Sequence, residues 1–150
     1  MDPSAAMLTL AKDRLGDLMS RVTLHESYID TAPDGPYDAA CCLLTLHFLP
    51  ADDRLRTLRA LHSRLKPGAP FVMAHHSLAQ DATRALWANR FAAYGAPLDA
   101  PAPAPTGPSL FDKLPVLSPD HDASLLSEAG FANVTQFYAA FTFRGWVATA

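Results

Sequence analysis

Cysteine is scarce in this 150-residue sequence, and the two that occur, Cys41 and Cys42, are neighbours. On a strand adjacent side chains point to opposite faces, so the pair cannot easily bridge, and buried thiols are expected rather than redox or metal chemistry. Charge is also sparse: charged residues make up 18% and the formal net charge is −3. That balance provides no general pull toward nucleic acid or an anionic membrane, so neither is an expected direct partner. No apolar run approaches the roughly 20 residues of a membrane-spanning helix, and the first residues lack the basic region and apolar core of a secretory signal, which makes the cytoplasm the expected location. No set of His, Cys, Asp or Glu has a recognised metal-ligand spacing, and no Gly-x-Ser-x-Gly turn could hold a serine nucleophile. A metal centre and a hydrolase triad are therefore not expected.

What is present is a globular composition, 49% apolar, of a length that fits one domain over residues 1–150. Apolar, strand-like runs at residues 37–46, 71–74 and 134–148 alternate with helix-like stretches, which is the pattern of an α/β sheet. A first helix is expected from Ser4 to about Asp13, with Ser4 or Asp2 as cap and Gly16 at its end. Residues 21–25 alternate like a short strand, and residues 31–36 form a loop. Pro50, Asp52 and Asp53 precede Leu55, Leu58, Leu61 and Leu65, one apolar stripe on an otherwise charged helix that Pro67-Gly68 stops. A second, aromatic helix is expected over residues 81–94. Five prolines within residues 96–108 indicate an extended loop inside one domain. Ser118-Pro119-Asp120 reads as a helix start and Gly130 as its end. Residues 134–138 and 141–148 leave no room for a crossover between them and should pair antiparallel.

Single residues with chemical potential are few. Asp2 is either a helix cap or, at the carboxyl end of a strand, an acceptor for ribose hydroxyls. His75 and His76 follow an apolar strand, where α/β folds place ligands, so one could face a substrate or act as a base, or the pair could simply end the strand. His47 and His62 read as structural. Trp87, Arg90 and Tyr94 share roughly one helical face and suit either core packing or a substrate lid.

The run Tyr37-Asp38-Ala39-Ala40-Cys41-Cys42-Leu43-Leu44-Thr45-Leu46-His47-Phe48-Leu49-Pro50, the helix over 54–65, and Lys66-Pro67-Gly68-Ala69-Pro70-Phe71-Val72-Met73-Ala74 together resemble the class I S-adenosylmethionine-dependent methyltransferases. The resemblance implies a Rossmann-like sheet in the order 3-2-1-4-5-7-6, with the last strand antiparallel. On that template Asp2 ends strand two, residues 22–25 are strand three, 37–44 strand four, 71–74 strand five, and the closing pair strands six and seven. Within the family the sequence is most similar to small-molecule methyltransferases and to carboxy-S-adenosylmethionine synthase, through Ala129-Gly130-Phe131 and the aromatic hairpin at 137–143.

Carried over by position, the resemblance makes Asp2 the acceptor for the cofactor ribose with Pro3 beside it, Tyr28 and Ile29 the adenine contacts, and Leu43 the residue under the sulfonium. The synthase has asparagine in place of Leu43 and needs a cation for an extra carboxylate, for which Arg90 is the candidate. The methyltransferase reading therefore ranks above it. The family's first strand and glycine-rich loop have no counterpart before Asp2, a difference of roughly 30 residues. The sheet is thus expected to lack strand one and most of strand two, as in a truncated or misassigned start, or in a short protein completed by a partner chain or oligomer. The expected activity is direct methyl transfer from S-adenosyl-L-methionine to a small-molecule acceptor, impaired in this chain. A non-catalytic remnant or interaction module is the alternative.

Overall fold

The computed structural model describes residues 1–96 and 110–150, which gather into two compact units, Met1–Gly35 and Pro36–Ala150. The proline-rich loop expected at 96–108 lies, but for Ala96, outside the described residues.

In the first unit, helix α1 (Ala5–Leu15) begins where Ser4 Oγ accepts the Met7 N–H at 3.3 Å. It ends at Gly16, whose φ of +50° suits a residue without a Cβ. Lys12 and Arg14 lie in the last turn, the favourable end of the helix dipole for cations. Two short 3-10 helices follow, Gly16–Arg21 and Ile29–Thr31. The strand expected at residues 22–25 does not form. Val22 is extended, but its N–H turns back to Met19 C=O at 3.1 Å, and the one backbone bond linking residues 22–25 to another extended segment is Asp2 N–H to His25 C=O at 3.2 Å. Extended residues become a strand only when a neighbour pairs their polar groups, and one hydrogen bond makes no ladder. For the same reason Asp2 ends no strand and instead leads into α1.

The second unit carries four strands, β1 (Ala40–Leu43), β2 (Pro70–His76), β3 (Ala132–Ala140) and β4 (Phe143–Thr149), in the order β1-β2-β4-β3. β1 and β2 are parallel; β4 is antiparallel to both β2 and β3. This is the order and direction implied for strands four, five, seven and six. β1 is shorter than the expected 37–44, because Tyr37 bridges to Leu65 instead and Leu44 turns out of the ladder with φ +57°. Phe141, expected in the last strand, sits in the β3–β4 turn at φ +50°. Among the described residues β1 pairs with β2 alone, so the sheet has a free edge there.

Helices α2 (Ala51–His62), α3 (Arg84–Gly95) and α4 (Pro119–Glu128) complete the unit. Ser118 caps α4 by accepting from His121 N–H, with Pro119 at the first helical position, as the sequence indicated. Alternation along β2 divides the packing. Phe71 and Met73 join Leu58, Leu125, Leu126, Phe131 and Trp146 in the main core, with Phe71 stacked on Phe131 at 4.7 Å. A smaller cluster joins Leu78, Ala88, Phe111 and Val116, with Trp87 and Phe91 beside it. No helix among the described residues is long and apolar enough to cross a membrane.

Candidate functional site

The parallel pair β1 and β2 ends at Leu43 and His76, and the carboxyl ends of such strands are where open α/β sheets hold ligands. Leu44 adopts a left-handed φ although it has a Cβ and is about half exposed, a conformation that costs roughly 1–2 kcal/mol. Its N–H is tied to Ala74 C=O at 2.7 Å, which turns the chain into the 3-10 helix Leu46–Phe48 and presents His47.

His47, His75 and His76 converge there. His47 lies 4.8 Å from His76 and 6.2 Å from His75, ring centre to ring centre. All three are buried, and His47 Nδ1 has no hydrogen-bond partner among the described residues. His76 Nδ1 is 2.9 Å from the hydroxyl of the buried Thr142 in the β3–β4 turn, while the ring stacks on Phe143 and meets Phe91 and Phe111 edge-on. Alternation places His75 on the opposite face, against Trp146, with Nε2 3.2 Å from Asp122 Oδ2 but off the line of a hydrogen bond. Asp122 Oδ1 is gripped by Arg54 Nη1, and Arg54 Nη2 also donates to Leu49 C=O at 3.2 Å and Pro115 C=O at 3.0 Å. Arg54, His75 and Asp122 are wholly buried.

This setting separates the charges. Burial first, then the neighbouring His76, His75 and Arg54, lowers His47 from 6.5 to about 4, with Asp122 opposing. Burial and then His75 lower His76 to about 4. For Asp122 burial opposes the charge, but His75 and Arg54 outweigh it and hold the carboxyl below its ordinary value. Near neutral pH the site therefore offers two uncharged imidazoles, each able to take or relay a proton, beside a permanent ion pair.

The residues singled out in the sequence divide between the units. In the first, Asp2 Oδ1 accepts Ser4 N–H at 2.8 Å, the helix-start role. Pro3 and Tyr28 are exposed and Ile29 is half-buried. In the second, Leu43 is exposed at the end of β1. Arg90 is exposed with its guanidinium 4.8 Å above the Trp87 ring, and Tyr94 rests on Phe141 at 4.8 Å. Cys41 and Cys42 are both free, and burial raises Cys42 to about 11. No group of three or more His, Cys, Asp or Glu among the described residues could hold a metal ion.

Sequence reasoning missed Arg54, Asp122 and Thr142, and took His47 as structural. One signal was available: Arg54 lies on the stripe of Leu58, Leu61 and Leu65, and a cation on an apolar face must find a buried partner.

Comparison with known proteins agrees with the geometry. A sequence family described as a methyltransferase domain matches residues 1–68. Among solved structures, the S-adenosylmethionine-dependent methyltransferase SibL superposes with a TM-score of 0.71 at 20% identity, covering 99% of this chain and 41% of SibL. The chain therefore has the Rossmann-like fold of S-adenosylmethionine-dependent methyltransferases, and its first 68 residues are similar to a methyltransferase domain. An O-methyltransferase family protein of Burkholderia thailandensis gives 0.68 at 17% identity, over 99% of this chain and 42% of that one. Human N-acetylserotonin methyltransferase, solved with S-adenosylmethionine, gives 0.59 at 17% identity, over 87% and 34%. The chain thus spans about two fifths of the length of the first structures it matches. No curated protein matches its sequence.

Proposed function

We propose that this chain takes part in methyl transfer from S-adenosyl-L-methionine to a small-molecule acceptor at the carboxyl ends of β1 and β2. The observation that carries this reading is the strand order β1-β2-β4-β3, with β4 antiparallel, combined with the uncharged His47 and His76 where ligands enter such a sheet. Methyl transfer is a direct displacement, in which the protein mainly aligns the acceptor atom with the sulfonium carbon and excludes water. S-adenosyl-L-methionine, when bound, supplies the activated methyl group. The resemblance, rather than any arrangement of the two units, proposes Asp2, Pro3, Tyr28 and Ile29 in the first and Leu43 in the second as its contacts; taken by itself, Asp2 Oδ2 suits a ribose hydroxyl, and the exposed Leu43 suits the apolar side of a sulfonium. The residues for the acceptor are His76 and His47, with Trp87, Arg90 and Tyr94 on α3 as the outer wall. A neutral imidazole can accept the proton that an acceptor hydroxyl or amine releases as the new bond to carbon forms. His75, wholly buried against Asp122 and Trp146, acts through its neighbours rather than by touch.

Leu43 offers none of the polar contact a carboxy-S-adenosylmethionine synthase would need, and Arg90 is engaged with Trp87, so methyl transfer stays ahead of that reading. The competing reading is a non-catalytic remnant or interaction module, favoured by the free edge of β1 and the exposed Leu43 and Leu44. Isothermal titration of the purified chain with S-adenosyl-L-homocysteine separates the two. Saturable binding at micromolar concentration, weakened at least about tenfold by Asp2→Ala, is the expected result. Absence of heat would overturn cofactor binding by this chain and leave the remnant reading.

A further inference from the structure

We propose that Asp122 and Arg54 are positioning residues for His47 and His76, a buried brace that sets where these two imidazoles stand at the ligand end of the sheet. The proposal rests on the reading of those histidines as the acceptor-facing groups, and it concerns residues that are far too buried to touch a ligand themselves.

The geometry has two arms that meet at one carboxylate. Asp122 Oδ1 accepts from Arg54 Nη1, and the other guanidinium nitrogen donates to Leu49 C=O, at the close of the 3-10 turn that carries His47. Asp122 Oδ2 lies 3.2 Å from His75 Nε2, and His75 is the backbone neighbour of His76. A third donor contact, Arg54 to Pro115 C=O, fastens the segment leading into α4. A single carboxylate on α4 is therefore linked to the turn after β1 on one side and to the end of β2 on the other. No other charged side chain among the described residues is wholly buried.

Packing alone does not require this arrangement. A buried ion pair is commonly no more stabilising than apolar residues of the same volume, so its presence at the ligand end calls for a role other than stability. Its planar guanidinium with several fixed donors is suited to hold a carboxylate and two carbonyls at set angles, which a lysine cannot reproduce. The charges that face His47 are Arg54 from α2, Asp122 from α4 and the imidazoles of His75 and His76 from β2; those facing His76 are His75 and His47.

The test is imidazole nuclear magnetic resonance on the whole chain, following the titration of each histidine and the ring-to-ring cross-peaks between His47 and His76. In the double exchange Arg54→Met with Asp122→Leu, which removes both charges and keeps the volume, the cross-peaks should weaken as the two rings lose their common anchor, and the His47 midpoint should rise, because Arg54 lowers it more than Asp122 raises it. Arg54→Lys keeps the charge but loses the fork; His47 signals should move while those of His76, still held through His75, stay. If either variant folds with His47 titration and cross-peaks as in the parent, the brace serves the fold only and the proposal fails. These readouts need no cofactor, so absence of S-adenosyl-L-homocysteine binding in the parent would undo the function proposed above while leaving the brace standing or falling on its own.

Discussion

Mild acid should loosen the second unit through two imidazoles. His47 and His76 each stand at about 4 in the folded chain, against an ordinary value of 6.5, because burial and neighbouring positive groups disfavour their charged forms. The unfolded chain therefore binds these protons more readily. The resulting stability is fully present above pH 6.5 and is lost as the pH falls from 6.5 toward 4. At pH 5.5 an unfolded imidazole is protonated about ten to one while the folded one stays neutral, a loss of about 1.4 kcal/mol per histidine. Solvent screening does little to reduce this, since the two side chains are 4% and 7% exposed. The rings are 4.8 Å apart and titrate as a coupled pair, so about 2 kcal/mol for both together is the working expectation. Asp122 does not enter this window: its carboxyl is held below the ordinary 3.8, and its contribution is lost only at lower pH.

Urea unfolding followed by tryptophan fluorescence provides the measurement, because both tryptophans, Trp87 and the buried Trp146, lie in this unit. Between pH 7.5 and 5.5 the unfolding free energy should fall by about 2 kcal/mol, and His47→Gln with His76→Gln should flatten that dependence. A parent chain equally stable at both pH values, or a double variant with the same slope, would refute the reasoning.

Thr142→Val removes the hydroxyl that pairs with His76 Nδ1 and leaves a buried nitrogen unsatisfied; a loss of about 1–3 kcal/mol is expected in the same unfolding assay, and no loss would mean that the contact is incidental. Phe71→Ala empties the centre of the main core opposite Phe131 and should cost about 3–5 kcal/mol, read as a lower urea midpoint with unchanged slope. Gly130→Ala puts a Cβ 3.1 Å from the His62 ring at a φ of +108°, so it should destabilise by more than about 1 kcal/mol, whereas Gly68→Ala, with open space around it, meets only the backbone strain and should cost less.

Local signals carried most of the fold. Ser4 and Gly16 bracket α1, Ser118 and Pro119 start α4, and the short gap near Phe141 forced an antiparallel pair, all because capping and turn chemistry act within a few residues. The strand at residues 22–25 failed because strand formation depends on a partner, and the local alternation of Val22 to His25 says nothing about whether one is there. The same logic separates the candidate site into legible and illegible parts. His75 and His76 were marked by their place after an apolar run. Arg54 and Asp122 were not, since 68 residues separate them and each also reads as an ordinary charged helix residue. His47 was undervalued because nothing local to it reveals that two more imidazoles come within 7 Å.

The exposed edge and the buried brace bear on function in opposite directions. A free β1 with Leu43 and Leu44 exposed is what a non-catalytic module would show. A polar network at the ligand end is not what such a module needs. Burying Arg54, Asp122 and His75 costs several kcal/mol of desolvation that their mutual attraction only partly returns, and breaking the pair from one side costs about 3–5 kcal/mol. Uncharged leucine and methionine would fill the same volume without that liability. Leu44 adds strain at the same place, where a glycine would adopt the turn freely. Two unfavourable features gathered at the carboxyl ends of β1 and β2, and compensated by the packing elsewhere, are the pattern expected where geometry is held for chemistry. The balance therefore weighs for the proposed site over the interaction-module reading, and binding of S-adenosyl-L-homocysteine is the measurement that tests it.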